Sequence, residues 1–124
     1  MSTTVPKIKG LSPLLLVADL ERSLAFYSER LGFAIDFRYE DFYAGMVKGS
    51  CTIHLKCGKP DPGERERRKK NEDLDLVFSV SAIEELYDAM KGGPVPIVQP
   101  LREMPYGKEF YISDPDGYII SFIE

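Results

Sequence analysis

The segment CTIHLKC, Cys51 to Cys57, places the chain's single histidine between its only two cysteines. Thiolate and imidazole are the two best ligands for zinc-like ions, and paired thiols are the usual redox couple. Three readings compete: a metal site, a redox site, or an ordinary strand. The cysteines are six positions apart, so the C-x-x-C spacing of redox sites is absent. In a strand they are ~20 Å apart, too far for a disulfide. Strand alternation also puts Thr52, His54 and Lys56 on one face and Cys51, Ile53, Leu55 and Cys57 on the other. Imidazole and thiols then point apart and cannot share a metal. The cysteine face is expected to be apolar and to pack on a helix, with free cysteine acting as a small hydrophobe.

The surrounding chain supplies elements to hold this segment. Its 124 residues are 44% hydrophobic, and the expectation is one compact domain. No apolar run reaches the ~20 residues of a membrane span. MSTTVPKIKG carries no signal-peptide pattern, so the expected location is cytoplasmic. Net charge is −4, but GERERRKK, Gly63 to Lys70, is locally +3 and leaves −7 on the rest. That balance speaks against nucleic-acid binding, and the run reads as a solvated, mobile linker.

Leu11–Ala18 reads as a buried strand. Asp19 then caps a helix whose Leu20, Leu24, Tyr27 and Leu31 share one face, with Gly32 at its end. Strands are expected at 33–39, 42–48 and 51–57. After the charged connector the order restarts. A strand runs through Leu74 to Val80, and a capping box at Ser81–Glu84 opens a helix with Ile83, Leu86, Tyr87 and Met90 on one face. Strands follow around Val95–Val98, Glu109–Ser113 and Tyr118–Ile123, the last two joined by the turn DPDG. The helix starts Asp19 and Ser81 are 62 positions apart, an architectural duplication.

VADLERSLAFYSERLGF (Val17–Phe33) and PYGKEFYISDPDGYIISFI (Pro105–Ile123) resemble the first- and second-module signatures of the vicinal oxygen chelate superfamily. That group holds glyoxalases, extradiol dioxygenases and fosfomycin- and bleomycin-resistance proteins. The resemblance implies an α+β fold of two βαβββ modules, paired half-barrels around a cleft. Module one would span about 8–58, a charged linker 59–72 and module two 73–124. It also implies metal-ligand positions in the first, fourth, fifth and last strands. These fall on Ser12, His54, Asp75 and Ser121. Two neutral hydroxyls are poor ligands, and His54 with Asp75 falls short of the three a catalytic metal usually takes. No metal or other cofactor is therefore expected, His54 and Asp75 being the residual candidates.

The reading that follows is a metal-independent protein that binds or sequesters a small molecule, nearest to the bleomycin-resistance type. The alternatives are a metal-dependent lyase, thiol transferase or dioxygenase, and a non-catalytic interaction module. Expected ligand contacts are His54, Asp75, Ser12 and Ser121, with aromatic contacts from Tyr106, Tyr111, Phe37 and Tyr43. Removing His54 or Asp75 is expected to weaken a ligand without harming the fold. Asp36, Asp41 and Asp75 would suit a cationic ligand. A homodimer is expected, with the first ten residues as an exchangeable arm. Both thiols should titrate as free in denatured, unreduced protein; a Cys51–Cys57 disulfide would remove the strand assignment.

Overall fold

A computed structural model describes residues 4–124; the first three residues of the expected arm lie outside it, and residues 4–10 are exposed and form no helix or strand. The chain divides into two compact units, residues 1–59 and 60–124. Each holds a four-stranded mixed sheet, so the α+β class and the two βαβββ modules are as expected.

In the first unit, β1 (Leu14–Val17), α1 (Leu20–Glu29), β2 (Ala34–Tyr39), β3 (Tyr43–Lys48) and β4 (Cys51–Cys57) form a sheet ordered β1-β4-β3-β2. The β1–β4 pair is parallel and the others antiparallel. Asp19 caps α1 by accepting from Arg22 N at 3.1 Å. The helix ends in a Schellman motif, with Gly32 N donating to Ser28 O and Phe33 N to Tyr27 O, each at 3.0 Å. Gly32 sits at φ 77°, the left-handed conformation that motif requires. Leu20, Leu24 and Tyr27 are buried with Leu15, Val17, Ala44, Met46, Ile53 and Leu55 from the sheet. The cysteine expectation needs correction here. Ile53 and Leu55 are core, but Cys51 and Cys57, at the strand ends, are free and exposed.

The second unit repeats the order with β5 (Leu76–Ser79), α3 (Ile83–Met90), β6 (Ile97–Met104), β7 (Gly107–Ser113) and β8 (Ile119–Ile123), arranged β5-β8-β7-β6. Its helix-side core stacks Phe78, Phe122 and Phe110, and Tyr87 of α3 meets Phe110 edge-on at 5.1 Å. Asp114 shapes the DPDG turn by accepting from Asp116 N and Tyr118 N, both at 2.9 Å. β6 is longer than expected and tolerates Pro100 because it lies at the sheet edge, with two register shifts. The expected capping box is absent. Ala82 stands at the N-cap with φ 54°, and the Glu124 side chain caps α3 instead, accepting from Ala82 N at 3.1 Å and Ile83 N at 3.0 Å.

The largest departure is the charged segment. It is no mobile linker: residues Pro62–Lys70 form a further helix, α2. Asp61 caps it, Pro62 occupies its first turn, and four basic residues end it, where the helix dipole favours them. No residue of α2 is buried. Its anchor is Asp75, whose side chain is 10% exposed. Asp75 Oδ2 accepts from Arg65 Nη1 at 3.0 Å and from Ile119 N at 2.8 Å. Arg68 Nε lies 3.2 Å from Asp75 Oδ1 but is misaligned for a hydrogen bond, so that arm is a charge contact only. Arg68 Nη2 donates instead to Leu74 O, and the Arg65 guanidinium lies 4.3 Å from the Tyr118 ring centre. The pair is shielded but not fully buried, and removing its carboxylate leaves Arg65 and the Ile119 amide unmatched, at a cost of about 1–3 kcal/mol. Asp75→Ala should therefore lower stability by about 2 kcal/mol and open α2 to trypsin; denaturant melts with limited proteolysis measure both. Unchanged stability would mean α2 is held by something else.

Candidate functional site

α1 and α3 each pack on one face of their sheet, and the other face carries side chains of the same unit that pack on one another. In the first unit, register builds that face in rows. Leu14, His54, Gly45 and Phe37 make one row, and Leu16, Lys56, Tyr43 and Tyr39 the next. The centre is aromatic. The Phe37 ring fills the space above Gly45 so closely that an added Cβ would come within 2.2 Å of it. It stacks on Tyr43 with 14° between planes and meets His54 edge-on at 5.3 Å. Tyr39 leans on Phe37 at 5.7 Å, and Phe42 stacks on Tyr39 at 6.4 Å. Around them, Leu14, Leu16, Tyr39 and Phe42 are exposed. His54 Nδ1 is 2.7 Å from Tyr43 Oη, and no described residue bonds its Nε2. Either group can donate in that bond, which leaves Nε2 for a further partner.

Phe37, Tyr43 and His54 are thus brought together, whereas Ser12 is already spent. Its hydroxyl lies 2.5 Å from Thr52 Oγ1, which itself donates to Leu11 O at 3.1 Å, so Ser12 must be the donor. Tyr39 and Phe42 were missed in the sequence. There they stood only as the ends of two strands, although FRYEDFY holds four aromatics in seven positions.

In the second unit, Tyr106 and Tyr111 are gathered by a residue not foreseen, Glu109. It is 3% exposed. Its Oε2 accepts from Arg102 Nε at 2.9 Å, Arg102 Nη2 at 2.7 Å and Tyr111 Oη at 2.9 Å, and its Oε1 from Tyr106 Oη at 2.6 Å. Arg102 also reaches Glu72 at 3.5 Å. Ser121 is directly opposite Tyr111 in the ladder. Burial pushes the Glu109 carboxyl up, but hydrogen bonds from Tyr106, Arg102 and Tyr111 outweigh it and hold the group below its ordinary range. Its stabilising effect is therefore present above the ordinary glutamate pKa and lost as pH falls through the lowered value. The bond to Glu109 pushes the Tyr106 phenol up to about 12, with burial adding to the shift.

Two of the four positions that the family likeness gives to metal ligands are already engaged within their own units. Ser12 gives its proton to Thr52, and Asp75 is engaged by two guanidinium groups and a backbone amide. Among the described residues no three His, Cys, Asp or Glu side chains converge. None of the helices in that range is long and apolar enough to cross a membrane. A titration followed by phenolate absorbance should show one step near pH 12 that disappears in Tyr106→Phe and moves down in Glu109→Gln. A Tyr106 step at the ordinary tyrosine value would contradict the Glu109 bond.

A sequence model described as the Glyoxalase/Bleomycin resistance protein/Dioxygenase superfamily matches residues 10–122. A bleomycin resistance protein of Geobacillus stearothermophilus is 29% identical over 127 residues, covering 90% of this chain and 93% of the relative. Among solved structures, the bleomycin-binding protein of Streptomyces verticillus complexed with copper(II)-bleomycin has a TM-score of 0.67 at 22% identity, over 96% and 98% of the two chains. The antibiotic binding protein TnmS3 of Streptomyces sp. CB03234 has a TM-score of 0.72 at 20% identity, with the same coverage. The match of that family model over residues 10–122 makes this chain a member of the glyoxalase/bleomycin resistance protein/dioxygenase superfamily.

Proposed function

We propose that this protein binds and sequesters a small organic molecule without transforming it, and does so without a metal. The observation that carries the reading is the aromatic wall of Phe37, Tyr43 and Tyr39 around His54, on the sheet face turned away from α1. A mostly apolar surface with one or two convergent polar groups is the usual form of a small-molecule site. No group there activates a nucleophile: the His54 partner is a phenol, and no acid or base completes a relay. The antibiotic-binding relatives add support at the level of the family.

Phe37, Tyr43 and His54 are assigned to ligand contact in the first unit, and Tyr106, Tyr111 and Ser121 in the second. Ser12 and Asp75 are left out, because partners within their own units already take their polar atoms. The exposed Leu14, Leu16, Val5 and Ile8 favour a homodimer, with the N-terminal segment as one of its contacts. Two unpaired cysteines suit a reducing cytoplasm.

Calorimetry with metal-free and copper(II)-loaded bleomycin tests the binding. Saturable binding is expected. Phe37→Ala and His54→Ala should each weaken it by about 1–2 kcal/mol, the scale of one ring contact or one hydrogen bond. Protein purified without chelator should carry well below one equivalent of zinc, nickel, iron or manganese. Neither bleomycin form shifting the melting temperature would remove the drug-binding reading. Any product appearing in the mixture would remove sequestration, and a stoichiometric metal lost in His54→Ala would point back to an enzyme.

A further inference from the structure

The face of the second sheet turned away from α3 carries polar capacity that its own packing does not use. Arg102 spends Nε and Nη2 on Glu109, Tyr111 and Glu72, while its Nη1 has no hydrogen-bond partner among the described residues. Ser121, 1% exposed, also has none for its hydroxyl. The Arg102 guanidinium lies 5.4 Å from the Tyr111 ring centre, beside the row that holds Ser121, and is itself partly exposed. Tyr106 is 58% exposed while its hydroxyl is pinned to Glu109, which leaves a flat side chain held at one end.

Charge decides what such a place accepts. Arg102 is outnumbered by Glu109 and Glu72, so the cluster is net negative despite its guanidinium. An anionic ligand meets repulsion that the single free edge of Arg102 does not offset, and a cation meets that same edge head-on. An uncharged planar group avoids both. We propose that Arg102, Glu109, Tyr106 and Ser121 form a subsite for a neutral carboxamide-type group. Its carbonyl accepts from Arg102 Nη1 with Ser121 as the second polar contact, and its plane lies against Tyr106. Glu109 is a positioning residue, holding Arg102 and both tyrosines through its four hydrogen bonds. The proposal rests on the small-molecule-binding reading and names the ligand chemistry for its second-unit half.

Three isosteric probes separate the possibilities: benzamide, benzoate and benzylammonium, each titrated into the full-length, nitrogen-labelled protein and followed by amide NMR shifts. Benzamide is expected to bind weakly but saturably, with shifts centred on residues 102–111 and 120–122. Benzoate should bind roughly tenfold more weakly, the scale of one uncompensated charge contact near a surface. Ser121→Ala should lose about fivefold in benzamide affinity, as for one neutral hydrogen bond, with an unchanged melting temperature because it breaks no internal bond. Arg102→Met alone strands the Glu109 charge, so the paired variant Arg102→Met with Glu109→Gln is the control, and it should abolish the benzamide preference. Benzoate binding as tightly as benzamide would overturn the subsite. So would shifts confined to residues 34–57, or a Ser121→Ala variant that loses stability and keeps affinity. These outcomes do not depend on bleomycin: absence of drug binding or the appearance of turnover removes the sequestration reading and leaves the probe ranking intact.

Discussion

A helix packed on a four-stranded sheet covers one of its faces, and what stands on the other face organises each unit. A helix with its side chains is ~10 Å across and covers one side, while four strands at ~4.8 Å spacing make a surface wider than that. α1 and α3 bury the Ile53–Leu55 and Phe110–Phe122 sides of their sheets. Whatever stands on the other side must be soluble, self-satisfied or held ready for a partner. The residues that distinguish this chain from a generic α+β domain are on those two faces.

The units meet that constraint in opposite ways. The first uses apolar rings that support one another. Gly45 is what permits the arrangement, since any side chain there would displace Phe37 and with it the contacts to Tyr43 and His54. The second uses a desolvated carboxylate whose four donors come from three residues, so Glu109 organises a polar surface as Phe37 organises an aromatic one. The same topology therefore presents two chemistries, as expected when function is carried by side chains grafted on a duplicated frame.

Polar atoms on these faces divide into those already spent and those still open. Asp75 and Ser12 belong to the first kind. Asp75 ties a helix of almost wholly charged residues to the sheet, and its removal is a stability event before it is a binding event. His54 Nε2, Arg102 Nη1 and the Ser121 hydroxyl belong to the second. The residue types alone do not separate the two groups, because a carboxylate, a serine and an imidazole are all credible contacts in a cleft.

The element order, the Asp19 cap, the Gly32 terminator, the DPDG turn and the two-faced β4 were legible in the sequence because each depends on local chemistry. They rest on a side chain reaching a backbone amide a few residues away, or on a glycine tolerating positive φ. α2 was partly legible, since Asp61-Pro62 is a helix start and the basic end suits a helix dipole. Hydrophobic periodicity was the signal relied on, and a helix with no buried residue has none. Three things came only with the tertiary structure: Glu124 capping α3 from 41 residues away, Arg65 and Arg68 closing on Asp75, and Glu109 drawing in Arg102, Tyr106 and Tyr111. All three depend on charged groups meeting across strands or from the chain end. Charge carries no periodicity that announces its partner, so only the folded register decides which carboxylate each guanidinium or amide finds.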